Sequence, residues 1–220
     1  INTFKYAIVE VPFSIVIALV LAVFLNRKMI GRSVYRTIIF LPMVAAPAAV
    51  AMVWRWLFNS DFGLINNLFH LHTKWISDPR IAVFSIAVIG IWSIIGYNMV
   101  LFISGLQEIP HDYYEAAEID GATKWQILKK VTIPMVMPSI TVCTFLTLTN
   151  SFKLFDQNLA LTNGEPSKMS EMLALNIFNT FYGRTGYEGV GQAKAVLFFI
   201  VVAVIALGQL VLTRRKEVEQ

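Results

Sequence analysis

Three stretches of this 220-residue chain, Ile81 to Gln107, Val131 to Phe152 and Ala195 to Thr213, contain no Asp, Glu, Lys or Arg. Runs of about 18 or more such residues are long enough to cross the hydrocarbon core of a bilayer as helices. The composition agrees: 56% of the residues are hydrophobic and 15% charged, against roughly 45 to 50% and about 25% in ordinary soluble domains. Two shorter apolar runs, Val11 to Asn26 extended upstream to Tyr6 and Thr37 to Trp54 extended to Phe58, complete five expected spans. They lie at about 6–26, 37–58, 81–106, 131–153 and 194–213. None alternates polar and apolar residues, and backbone groups in hydrocarbon must pair within their own segment, so a β-barrel is excluded. The expected fold class is all-α, a polytopic transmembrane helical bundle forming a single domain over residues 1–220.

Basic residues orient such a bundle. The linker between the first two spans carries Arg27, Lys28, Arg32 and Arg36 with no acid, and the end carries Arg214, Arg215 and Lys216. Both belong on the cytoplasmic side. Five spans then put Ile1 outside and the C-terminus inside, with the connections 59–80 and 156–194 outside and 105–130 inside. Ten Lys and Arg fall inside and six outside, with Arg55 and Lys153 at outer helix ends. An N-terminal end outside the membrane, starting on Ile without a signal peptide, implies a first helix upstream of this chain. The net charge of +4 is spread between apolar runs and not over an aromatic-interleaved face, so nucleic acid is not an expected partner. Cys143 is the single cysteine, so no disulfide or Cys-rich metal site forms within one copy.

The segment Gly105 to Pro134 carries the most information. Pro110 opens a helix with Asp112, Glu115 and Glu118 in its early turns, where acids favour the macrodipole, while Tyr113, Ala116, Ala117 and Ile119 leave a small, partly apolar face. Gly121 falls where that helix needs a left-handed or closely packed residue to turn, and Pro134 opens the next span. Glu108, Asp112, Glu115, Glu118 and Asp120 cluster on the side where basic residues are the rule. A basic protein partner explains them.

Glu115-Ala116-Ala117, three residues, Gly121, nine residues and Val131-Thr132-Ile133-Pro134 resemble the EAA loop of bacterial ABC importer permeases. That family commonly ends the motif Ile-x-Leu-Pro, a conservative departure. Trp92 through Tyr97, Leu161-Thr162-Asn163-Gly164-Glu165-Pro166 and the Gly186 to Gln192 approach to the last span are similar to the sugar-type members, in particular the larger permease of maltose-like and multiple-sugar importers. The resemblance covers nearly the whole chain. It implies a type I ABC importer permease fold whose first helix is absent here. It also implies that the loop 105–134 forms a coupling helix seated in a cleft of an ATPase subunit, with Glu115, Ala116, Ala117, Asp120 and Gly121 in that role. The implied partners are a second permease, two ATPase subunits and an extracytoplasmic solute-binding protein, with sugar as substrate and the lipid of a bacterial or archaeal cell membrane around the spans.

Polar groups within spans are costly unless they face a pore or another helix. Ser93 and Tyr97 share a helical face, as do Thr147, Asn150, Ser151 and Leu154, and neutral donors beside an aromatic ring suit a sugar. The resemblance places the substrate against these two helices midway across the membrane, at Gly90, Ser93, Ile94, Tyr97, Thr147, Asn150, Ser151 and Leu154. For any single Ser or Thr, bonding to its own backbone or between helices is the commoner use. Tyr97, Asn150 and Ser151 are the first candidates. Glu10, Arg55 and Lys153 read as snorkelling or helix-pairing groups that can also meet an external binding protein. Without a charge deep in the stripes, a neutral oligosaccharide is expected.

In the outer connection a turn at 163–166 precedes an interfacial or packed helix over Met169 to Tyr182, and the glycines at 183, 186, 189 and 191 permit an irregular entry to the last span. His70 and His72 lack companions for a metal site, so no metal is expected. No phosphate-cradling motif or nucleophile with its base occurs, so the chain is not an enzyme; ATP and magnesium belong to the partner ATPase and the chain itself needs no cofactor. Competing expectations are a non-transporting membrane sensor or scaffold with the permease fold, or an importer of another solute such as glycerol phosphate or a polyamine.

Overall fold

The computed structural model describes residues 1–27 and 29–214. Lys28, Arg215 and Lys216, assigned above to the cytoplasmic side, lie outside the described residues. Among the described residues the chain is helical with no strand. Three helices are long and apolar enough to cross a membrane: α1 (Asn2–Leu25), α5 (Ala82–Glu108) and α12 (Glu188–Arg214).

The other two expected spans, 37–58 and 131–153, are each a pair of helices bent at a break. Residues of the first form α2 (Arg32–Val44) and α3 (Pro47–Leu57), which meet at 100°. Pro47 lacks an N–H and disfavours helical geometry at the residue before it; Ala45 and Ala46 accordingly take ψ of 143° and 126°. A short α4 (Leu64–Phe69) follows on the way to α5, where Asn66 ties the loop together by donating to the Ser60 and Thr73 carbonyls and accepting from the Trp75 indole.

After α5 the chain makes α6 (His111–Ile119) and α7 (Lys124–Ile127), then a π-helical turn (Leu128–Thr132), α8 (Ile133–Met135) and α9 (Met137–Phe152). The segment 124–135 meets α9 at 65°. Pro138 donates no hydrogen bond to the turn below it, which lets Val136 leave helical geometry with ψ near 1°. On the far side, α10 (Asp156–Leu161) and α11 (Leu173–Tyr182) lead into α12. The helix expected from Met169 starts instead at Leu173. The Met172 N–H is taken by Asn158 Oδ1 at 3.0 Å and the Leu173 N–H by Thr3 Oγ1 at 2.8 Å, so side chains from α10 and α1 fix where α11 begins.

The centre of the bundle is α1 against α5. The buried face of α1 is Thr3, Tyr6, Ala7, Glu10, Ser14, Ala18, Ala22 and Leu25, a spine of mostly small residues at helical spacing that lets the two backbones approach. One apolar cluster joins Ala18, Ala22, Met99, Phe102 and Cys143; the other, toward the opposite end, joins Tyr6, Ala51, Ile86, Ile89 and Met172. α2 crosses α5 at Gly96, where a β-carbon would overlap the Ile39 carbonyl and the Phe40 backbone. Backbone cannot move aside as a side-chain tip can. Gly96→Val is therefore expected to lever α2 off α5, costing about 1 to 3 kcal/mol, read as lower thermal stability and a smaller monodisperse fraction in detergent.

Candidate functional site

The candidate residues fall into two groups, one at the α6 turn and one where α1, α5 and α9 meet.

α6 is exposed over nearly its whole surface. Ile119 is 86% exposed and Tyr113 51%, beside the exposed carboxylates of Asp112, Glu115, Glu118 and Asp120. The contact Glu115 makes here is local, its Oε1 lying 3.1 Å from His111 Nδ1. An apolar tip ringed by carboxylates suits docking more than solvation. The exit from the helix is sharply defined. Gly121 adopts φ of +74°, its N–H donates to the Glu118 carbonyl at 3.0 Å, and the Ala122 N–H donates to the Ala117 carbonyl at 3.0 Å. These two bonds make the αL-terminated helix end in which glycine carries no steric penalty. No atom lies within 4 Å of a β-carbon built at Gly121, so backbone conformation and not packing calls for glycine there.

Immediately after, Thr123 caps α7 reciprocally: its Oγ1 accepts from the Gln126 N–H at 3.4 Å and Gln126 Oε1 accepts from the Thr123 N–H at 2.7 Å. The Thr-x-x-Gln spacing is the sequence signal for this device, and the reading above passed over it. Tyr114, half-buried among the core residues of α1 and α5, sits with its hydroxyl 3.5 Å from Thr132 in the π-turn. α6 is thus rooted in the bundle and joined to the foot of α9 through a short, bonded path. Glu115, Ala116, Ala117, Asp120 and Gly121 all fall on this element or its cap.

The second group is a polar knot. Asn98, fully buried on α5, donates to Thr147 Oγ1 on α9 at 2.9 Å. Ser151, also on α9, hydrogen-bonds to the Glu10 carboxylate on α1, and the Tyr6 hydroxyl bonds the same carboxylate. Gly90 on α5 is where Tyr6 and Glu10 press in: a β-carbon there would collide with the Tyr6 hydroxyl and Glu10 Oε1. Gly90, Ile94, Thr147 and Ser151 are therefore buried between helices in this conformation. Ser93, Tyr97 and Leu154 are half-buried and Asn150 is exposed; Ser93 also returns a bond to its own backbone at Ile89, 2.9 Å away. The stripes on α5 and α9 hold no charged residue themselves, but Glu10 of α1, read as a snorkelling or helix-pairing group, is 6% exposed and bonded to Ser151 of the α9 stripe. Its depth along α1 was legible; its partners, far away in sequence, were not. Arg55 and Lys153 are exposed at the ends of α3 and α9.

Among the described residues no group of three His, Cys, Asp or Glu gathers to hold a metal ion.

A family model described as the binding-protein-dependent transport system inner membrane component matches residues 14–218. The chain is 38% identical over 219 residues to the probable starch degradation products transport system permease protein AmyD of Thermoanaerobacterium thermosulfurigenes, covering 99% of this chain and 75% of that protein. It is 31% identical over 204 residues to the trehalose/maltose transport system permease protein MalF of Thermococcus litoralis, covering 91% and 68%. Among solved structures, a chain of a bacterial ABC transporter that imports the acidic polysaccharide alginate superposes with a TM-score of 0.86 at 22% identity, over 97% of this chain and 77% of that one. A chain of the MetNI methionine transporter superposes at 0.68 with 20% identity, over 99% and 94%. Both share the importer permease fold. By the match across nearly its whole length, the chain belongs to the family of inner membrane components of binding-protein-dependent transport systems, as a multi-pass permease subunit and not an enzyme.

Proposed function

We propose that this chain is the permease subunit of an ATP-driven sugar importer, acting with a second permease subunit, two ATPase subunits that hold ATP and magnesium, and an extracytoplasmic solute-binding protein. The relatives named for starch degradation products and for trehalose and maltose support sugar as cargo. The placement of basic residues supports an orientation with Ile1 outside and α6 and the end of α12 in the cytoplasm.

The single observation that carries the coupling role is α6 itself: an exposed, acidic, apolar-tipped helix, closed on Gly121 and rooted through Tyr114 at the foot of α9. A partner gripping α6 moves a lever whose other end is the helix bearing Thr147, Asn150, Ser151 and Leu154. Closure of the ATPase pair draws the two coupling helices of the importer together and favours the outward-open arrangement, in proportion to its differential affinity for that state. In this reading Ser93, Tyr97, Asn150 and Leu154 meet the sugar, while Gly90, Ile94, Thr147 and Ser151 set the spacing and register of the helices that present them.

Co-purification from the native host in mild detergent tests the assembly: an ATPase and a second permease in stoichiometric amount are expected, and their absence overturns the importer in favour of a membrane scaffold. For the sugar face, Tyr97→Ala is expected to raise the sugar concentration for half-maximal uptake about tenfold, the loss of one aromatic stacking contact. Uptake by proteoliposomes at varied sugar concentration reads it, and an unchanged value removes Tyr97 from the site.

A further inference from the structure

Between the end of α1 and the α6–α7 turn lies a cavity of about 650 Å³, walled by Val23 and Arg27 on one side and on the other by residues that include Tyr114, Glu118 and Thr132 of the path from α6 to α9. Arg27 and Lys124 line it, and neither side chain makes a hydrogen bond or ion pair among the described residues. Glu118 is the one acid in the wall, leaving a net single positive charge. Trp125 adds an indole that is 70% exposed. An amphipathic ring at such a level suits the boundary between headgroups and water.

The geometry beside the cavity indicates what kind of anion belongs there. Val16, Val20 and Val23 follow one another at spacings of four and three, so they share one face of α1, and Arg27 lies two residues beyond the end of that helix. Val16 is 60% and Val20 63% exposed, and Val23 and Arg27 reach into the cavity. An apolar stripe of two turns, about 10 Å long, therefore leads to a cavity that a guanidinium and a second cation line. A soluble anion uses only the cations; a molecule with an acyl chain and a singly charged phosphodiester uses both features.

We propose that this cavity binds the headgroup of an anionic phospholipid of the cytoplasmic leaflet, its phosphate between Arg27 and Lys124 and an acyl chain along the α1 stripe. The leaflet rests on the orientation given under the proposed function. The net charge of the wall distinguishes phosphatidylglycerol from lipids whose headgroup carries a balancing ammonium.

The test uses the intact importer complex in nanodiscs of phosphatidylcholine, alone or with phosphatidylglycerol or phosphatidylethanolamine, followed by native mass spectrometry of the lipid that survives delipidation. Phosphatidylglycerol is expected to be retained, and the double variant Arg27→Gln/Lys124→Gln to hold it about thirtyfold more weakly, roughly fivefold per cation. Glu118→Gln is expected to act in the opposite direction and tighten retention. Equal retention by wild type and the double variant, or equal retention of phosphatidylethanolamine, overturns the site. So does displacement of the lipid by millimolar inorganic phosphate, which assigns the cations to a free anion. Sugar-stimulated ATP hydrolysis in phosphatidylcholine alone is measured alongside. A complex that hydrolyses ATP in response to sugar yet retains no phosphatidylglycerol fails the lipid site and leaves the importer standing.

Discussion

In the assembled importer, Glu115→Lys combined with Gly121→Arg is expected to leave the chain in the membrane while sugar and binding protein no longer stimulate ATP hydrolysis. The two changes act by different physics. Glu115 is exposed and, among the described residues, held by His111 alone, so reversing its charge does not disturb the subunit but sets like charge against a basic partner. A charge pair buried on docking contributes enough that its loss weakens the contact about a hundredfold. Gly121 holds φ of +74° with no neighbour to clash with an added β-carbon, so the cost of a side chain is backbone strain of about 1 to 2 kcal/mol. That strain unwinds the helix end and swings α6 away from its docking angle. A finer test follows from the same observation. Gly121→Asn, which tolerates left-handed geometry, is expected to keep most of the stimulated hydrolysis, whereas Gly121→Val is expected to lose it. Hydrolysis measured with and without sugar-loaded binding protein reads both, and stimulated turnover unchanged in the double variant removes α6 from the coupling path.

The α6 turn was legible in the sequence because everything that shapes it is local. The proline before it, the acids in its first turns, the glycine after it and the Thr-x-x-Gln of the next helix lie within a few residues of one another. The five apolar segments were legible for the same reason, since hydropathy needs no knowledge of neighbours. The break between α2 and α3 is local too, and Pro47 advertises it, but an uninterrupted apolar run masks the change of direction when hydropathy alone is weighed. What could not be read was which polar groups in the spans face each other. Ser151 meets Glu10 and Thr147 meets Asn98 across separations of 141 and 49 residues. Nothing in the periodicity of either helix says that the hydroxyl stripe of α9 turns toward α1 and α5. The same nonlocality hid the reason for Gly90, which is glycine because Tyr6 and Glu10 occupy the space beside it.

Glu10 is the residue whose replacement is expected to damage the bundle most. Its carboxylate is the shared acceptor for Ser151 on α9 and Tyr6 on its own helix, packed over Gly90 of α5. Three helices therefore meet on one side chain. Removing it in Glu10→Ala leaves the buried Tyr6 hydroxyl without its acceptor, costing about 1 to 3 kcal/mol, leaves Ser151 only its bond to the Thr147 carbonyl at 2.7 Å, and opens space beside Gly90. Glu10→Gln keeps the acceptor oxygen and the volume. The expected order of thermal stability in detergent is wild type, then Glu10→Gln close behind, then Glu10→Ala well below both. Ser151→Ala removes a single donor, so its cost in the wild-type background is expected to be smaller than that of Glu10→Ala. In the Glu10→Ala background it is expected to be smaller still, because only the bond to the Thr147 carbonyl remains to be lost. Substrate behaviour separates two roles for the knot. If Glu10 only positions α9, Glu10→Gln transports with nearly wild-type sugar affinity and Glu10→Ala loses affinity together with stability. If the sugar itself contacts Ser151, Ser151→Ala loses affinity while its stability stays near that of wild type, and the buried assignment of Ser151 holds for the present conformation but not for the loaded one.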